Sequence, residues 1–278
     1  MPDFSLMKLG KHPPKIDPRT LQLAKYMRAI PPAPVTCDWT SGITSWGMCL
    51  NGPNTFGPPV PAEGLGDCTI AACTHASTGL RAAAGYGTSI YPDWLTLRYY
   101  VIFDGYVYGN PNTDQGGICL QVLNRWRARG YGYRPWKKVW RRSEPGADVL
   151  TAYAAVNPAN QVEVMNCVSL FGGAYIGLML PATAMNQNLW AVVGDGSTGP
   201  SAPGTWGGHC VWVVGYTQQY VKVVTWGQIM MMTWGFWKAY VDEAYALVSP
   251  DFLGVNKLDP SGFDMPTLLS DLQQVTAA

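Results

Sequence analysis

Residues 64–76 read GLGDCTIAACTHA, and the fold follows from how this stretch is read. Asp67 is a helix N-cap residue type, and from Cys68 to about Ala84 small and apolar residues fall on every side of the helical wheel, with a stop at Gly85. A helix with no polar face packs all round, so this one is expected at the centre of the molecule. Cys68 would be its first residue, where unpaired backbone N–H groups and the helix dipole favour a thiolate. Cys73 lies five residues on, about 500° around the wheel at about 100° per residue, and reads as core.

A thiolate nucleophile needs a base, and the chain has three histidines. His12 sits in a Pro-rich segment. His75 shares the helix with Cys68 but lies ~10 Å along its axis at ~1.5 Å per residue, beyond a direct proton relay. His209 remains, in residues 204–216, GTWGGHCVWVVGY, where alternation along a strand puts His209, Val211 and Val213 on one face.

Working outward, residues 1–62 form a Pro/Gly-rich arm with a short helix expected around RTLQLAKYMRAI, and the arm reads as a wrapping strap or lid. Further helices are expected over DWLTLRYYVIFDGY and over GICLQVLNRWRARG, the latter stopped by Gly130. After about residue 148 the pattern changes. TAYAAV reads as a strand, ANQVEVMNCVSLFGG as a helix and AYIGLML as a strand; a long loop covers about 182–207, and HCVWVVGY, QYVKVVTW and YVDEAYALVS follow as strands. Helices first and a mostly antiparallel sheet second is an α+β order. The expected organisation is the arm at 1–62, a domain at 63–255 divided into a helical half (63–147) and a sheet half (148–255), and a tail at 256–278 with a short helix at LLSDLQQV.

Charged residues make up only 13% of the chain, 19 basic against 18 acidic, which gives no reason to expect a nucleic-acid or membrane partner. The seven cysteines have no CxxC spacing, and no HExxH occurs, so neither a metal nor another cofactor is expected. GDGSTGPSAPGTWGG is Gly-rich but lacks the ending of a phosphate loop. MPDFSLMKLGKHPPK has no apolar run of signal-peptide length, so a cytoplasmic or virion-associated protein is expected. Twelve tryptophans supply aromatic area for a core, for a cleft or for an interaction surface.

The order of these motifs resembles the papain-like cysteine peptidases over roughly residues 60–245. GLGDCTIAA is similar to the nucleophile segment of the calpain branch, with Thr69 where that branch has Trp. DQGGICLQVLNRWRARGYGY is similar to the family's Gly-Gly segment and following helix, and GGHCVWVVGY followed by VTWG is similar to its histidine strand and SerTrpGly turn. The whole chain also resembles uncharacterised papain-like proteins of bacteria and phages. The resemblance implies a papain-like fold, a helical half with the nucleophile helix packed on the sheet half, and Cys68 with His209 as the catalytic pair.

Two positions depart from the family. Relatives orient the histidine with an Asn before the SerTrpGly turn, where this chain has Val224. A two-residue turn at Thr217 and Gln218 would put Val224 on the histidine face; one extra residue would bring Thr225 round instead, because a one-residue slip exchanges faces. Thr225 is therefore a candidate orienter and Trp226 a candidate shield. Relatives also place an amide donor for the oxyanion six residues before the cysteine, where this chain has Ala62 followed by Glu63. Glu63 and Asp67 are the neighbouring oxyanion or substrate candidates, and Asn51 or Asn54 from the Pro-rich insert are substitutes. Two readings stay open: a thiol hydrolase acting on a peptide, isopeptide or other amide through a Cys68 thioester, or a catalytically impaired papain-like protein serving as a binding or structural component, of a phage virion for example, through its aromatic surface and arm.

Overall fold

The computed structural model describes residues 4–27, 32–52, 60–61, 63–86, 91–132, 148–250, 252 and 263–277. Ala62 and Asn54 lie outside them. The arm enters the fold through a two-residue strand, β1 (Cys37–Asp38), and the central helix α1 spans Cys68–Ala83. Every residue of α1 from Cys68 to Leu80 is buried, as its unbroken small and apolar surface requires. Gly79 leaves room for Trp46 and Trp212: a Cβ there would stand 3.1 Å from the Trp212 indole nitrogen.

The helix expected over 93–106 is divided. α2 covers Asp93–Tyr99 and continues as a wider π-type turn, Tyr100–Asp104, ended by Gly105 at φ 80°. α3 (Cys119–Arg129) stops at Gly130, φ 71°. Strand β2 (Ala152–Val156) leads to α4 (Gln161–Phe171), where the Asn160 side chain accepts from the Glu163 amide at the N-terminus and left-handed Gly172 closes the other end. β3 (Ala174–Leu180) follows.

The long connection expected over 182–207 contains short 3-10 turns and a strand, β4 (Leu189–Trp190). Strands β5 (Gly207–Tyr216), β6 (Tyr220–Thr225) and β7 (Gln228–Thr233), helix α5 (Trp234–Tyr240), strand β8 (Val241–Val248) and helix α6 (Met265–Ala277) complete the order. Among the described residues of the helix expected at RTLQLAKYMRAI there is one 3-10 turn, Leu23–Tyr26; residues 28–30 lie outside the described residues. Just before it the backbone is committed to the sheet: the Ala155 amide donates to the Leu21 carbonyl at 2.7 Å.

The sheet runs β2-β8-β3-β5-β6-β7-β4, with β1 added on β5. All pairings are antiparallel except β4 with β7. Alternation divides it between two cores. Cys210, Trp212 and Val214 of β5 pack with α1, α2 and α3. Val211 and Val213 pack with α4 and the arm on the opposite face. The tryptophans go mainly to these cores; of those described, only Trp94 is exposed. No helix among the described residues is long and apolar enough to cross a membrane.

Candidate active site

Cys68 opens α1, and its thiol lies between the two halves, toward the backbone amides of Gly10 in the arm and Cys210 in β5. Burial pushes the thiol up to about 12; those two amides pull the other way and lose. Cys210 directly follows His209 in β5, so the thiol lies beside the backbone of the residue next to the imidazole. No hydrogen bond joins them among the described residues. His209 is 1% exposed, and burial, with a smaller contribution from His75, brings its pKa down to about 3. Both groups are therefore neutral in this conformation.

The orientation of His209 is set by two neighbours. Its Nε2 lies 2.7 Å from Thr225 Oγ1, and its Nδ1 has no hydrogen-bond partner among the described residues. With the proton on Nε2 the ring donates to the threonine oxygen and keeps the Nδ1 lone pair, which avoids burying an unpaired N–H. A β-bulge makes this contact. β5 and β6 pair Gly215 with Lys222 but Val213 with Val223, so Val214 is an extra residue and Thr225, not Val224, turns to the imidazole face. The Val214 carbonyl accepts from the Trp39 amide at 2.8 Å, just past the end of the β1–β5 pairing. Trp226 then occupies a two-residue hairpin turn with Gly227, both at positive φ (46° and 72°), and lies flat on His209 with centroids 4.8 Å apart at 16°. Val224 goes to the other core.

Asp67 caps α1 through its carbonyl, which accepts from the Ile70 and Ala71 amides. Its carboxyl makes no side-chain cap: both oxygens are buried without a hydrogen-bond partner among the described residues, and burial, with nearby Asp114, raises its pKa well above the carboxylate range. Asn51 stands close to it, but its amide donates to the carbonyls of Leu65 (3.0 Å) and Lys8 (3.2 Å). Glu63 is exposed, and its carbonyl accepts from the Lys8 amide. His75 is a core residue beside Trp46, with Nε2 3.1 Å from the Gly47 carbonyl.

Several residues of the site have no signal in the sequence. Asp114 ties three segments together: it accepts from the Gly66 amide (3.0 Å), the Tyr100 hydroxyl (2.6 Å) and Lys8 Nζ (2.6 Å). The arm itself lies across the thiol. The Gly117 amide donates to the Gly10 carbonyl (2.8 Å), the His12 amide to the Gly117 carbonyl (2.9 Å) and the Lys11 amide to the Gly208 carbonyl (3.0 Å). Glycines permit the approach: a Cβ on Gly10 would fall 1.7 Å from the Gly66 carbonyl oxygen, and one on Gly208 would fall 2.1 Å from that of Lys11. Phe4 finishes the cover by stacking on Trp226 at 4.8 Å. A cavity of about 290 Å³ elsewhere, bordered by Arg19, Arg127 and Tyr153, shares no residue with this cleft.

No protein-family model matches the chain, and no curated sequence does. Solved structures do. Xylellain, a cysteine protease from Xylella fastidiosa, superposes with a TM-score of 0.59 at 14% identity, covering 87% of this chain and 96% of that one. The fold is papain-like. Procathepsin L 3 of the Tenebrio molitor larval midgut (TM-score 0.53, 14% identity, 88% of this chain and 77% of that one) shares it. So do the cysteine protease and lectin-like domains of Cwp84 from Clostridium difficile (0.54, 14%, 88% and 56%). In this papain-like chain the halves meet along the cleft that the arm fills. The arrangement offers a thiol at a helix N-terminus, an imidazole with one free nitrogen, and backbone groups at Gly117 and Gly208 that hold an extended chain across both.

Proposed function

We propose that the protein is a thiol hydrolase of polypeptides or related amides. Cys68 attacks the carbonyl carbon, His209 Nδ1 takes the thiol proton and returns it to the leaving amine, and water releases the Cys68 thioester. Thr225 holds the imidazole, Trp226 keeps water from that contact, and the first amides of α1 receive the oxyanion. The observation that carries this reading is the arm: an extended backbone already lies at the thiol, bonded on both sides of it by Gly117 and Gly208. A cleft that fits one peptide in this way suits another. The arm has to withdraw first, since its Gly10 amide occupies the thiol's open side, and withdrawal returns water to the pair and lowers the cost of charging it.

The test is to incubate the chain, and a Gly10→Ala form that cannot seat the arm, with denatured proteins and to read new N-termini by mass spectrometry. Fragments that appear with either form and vanish with Cys68→Ala are expected. An identical set of fragments with and without Cys68→Ala would remove the hydrolase.

A second reading, a papain-like binding or structural protein, is favoured by the lack of a hydrogen bond between Cys68 and His209 and by the valine at position 224. It predicts no Cys68-dependent fragments from either form.

A further inference from the structure

The arm places one charged side chain in the cleft, and the walls around it are acidic. Lys11 has a fully buried side chain, with Nζ 2.8 Å from Asp242 Oδ2 and 3.2 Å from Glu243 Oε1. Burial alone would push the amine down, yet Cys119, Glu243 and Asp242 outweigh it and its pKa is raised, so the slot holds an ammonium.

The slot is built by three features of the sheet. Gly177 forms its wall: a Cβ there would stand 2.1 Å from Lys11 Cε. A bulge in β8 supplies both carboxylates, since neighbouring residues of a regular strand face opposite ways. β3 pairs Gly177 with Glu243 but Leu178 with Val241, so Asp242 is the extra residue and turns toward the slot beside Glu243. The Tyr245 hydroxyl fixes Glu243 by donating to Oε2 at 2.8 Å, which leaves Oε1 for the amine.

We infer that this slot, once the arm withdraws, takes a Lys or Arg side chain of the polypeptide substrate close to the scissile bond. The inference rests on the hydrolase reading and names its substrate class. The position follows from the backbone: residue 11 bonds Gly208 while its neighbours bond Gly117, and the adjacent amide of Gly10 is the one at the thiol. An extended chain that takes the same bonds puts a side chain in the slot within two residues of the peptide at Cys68. A norleucine side chain there leaves two carboxylates unpaired, and a Glu adds a third negative charge.

The experiment uses the full-length Gly10→Ala form and quenched peptides that carry Lys, Arg, norleucine or Glu at each position in turn. Cleavage is measured on this form, and binding on the same form with Cys68→Ala. Lys and Arg peptides are expected to bind and to be cleaved at least about tenfold better than norleucine peptides at one position. Asp242→Asn with Glu243→Gln abolishes that preference. Selective binding without cleavage would uphold the slot and remove the hydrolase. Equal binding of Lys and norleucine peptides, or binding of neither, would overturn the slot whether or not cleavage occurs. If Gly10→Ala does not fold, Lys11→Glu in the full chain, which Asp242 and Glu243 repel, displaces the arm from the same slot and is read identically.

Discussion

With its Nε2 bonded to Thr225 and its ring flat on Trp226, His209 has a single orientation to offer the cleft. In the proposed hydrolase Thr225 positions the imidazole, so Thr225→Val should lower turnover by about ten- to a hundredfold while Thr225→Ser retains most of it. The check is kcat for both variants together with the pH profile, which a purely structural loss would not move. Burial also makes His209 an acid-labile element. Its folded pKa of about 3 lies below the unfolded value of about 6.5, so the unfolded chain binds the extra proton. The contribution to stability is complete above pH 6.5 and is lost as the pH falls toward 3. At pH 4.5, two units below the unfolded value, the loss is about 3 kcal/mol, from about 1.4 kcal/mol per unit. Urea unfolding of His209→Gln should therefore show a smaller drop between pH 7 and 4.5 than the unmodified chain. Cys68 and His209 were legible because each sits in a local pattern, a capped small-residue helix and an alternating strand. Asp114, Lys11, Asp242 and Glu243 were not, because they meet only when separate segments fold together.

Among the elements, two bulges decide what the cleft presents. Regular alternation would have given Val224 to the imidazole and separated Asp242 from Glu243; the extra residues at Val214 and Asp242 reverse both assignments. Face periodicity is readable in a sequence, whereas a bulge depends on the partner strand, which is why Thr225 stayed an alternative. Deleting Val214 should return Val224 to His209 and turn Val223 out of its core, at a cost of about 2–5 kcal/mol for a misplaced valine with its cavity, measured by urea unfolding. β7 escaped notice for a related reason. Its run Met230–Met232 shows no polar alternation, although Met230 and Met232 are buried and Met231 is 39% exposed. The arm is an element of the same kind, seated by close backbone contact. Gly10→Ala drives a methyl into the Gly66 carbonyl, and limited trypsin digestion should cut this form at Lys11 and Lys15 faster than the unmodified chain.

At the scale of the whole molecule, the α+β order of helices followed by a mostly antiparallel sheet was legible from the change of periodicity near residue 148, and its papain-like form from the motif resemblance; the sheet with its two cores is consistent with both. The path of the arm was not. Pro- and Gly-rich sequence marks a segment without regular structure, but its course between Gly117 and Gly208 is fixed by walls that lie more than a hundred residues downstream. That course covers Cys68 and His209, both buried and neutral, so in the proposed hydrolase the arm is the cover of the reacting pair. The most direct measurement is the rate of Cys68 alkylation by iodoacetamide at pH 7.5, read by mass spectrometry on the unmodified chain, on Gly10→Ala and on Gly10→Ala with His209→Ala. The account predicts slow labelling of the first, labelling of the second at least about tenfold faster and confined to Cys68, and a return to slow labelling in the third. Labelling of Gly10→Ala no faster than the unmodified chain, or equally fast without His209, would contradict it.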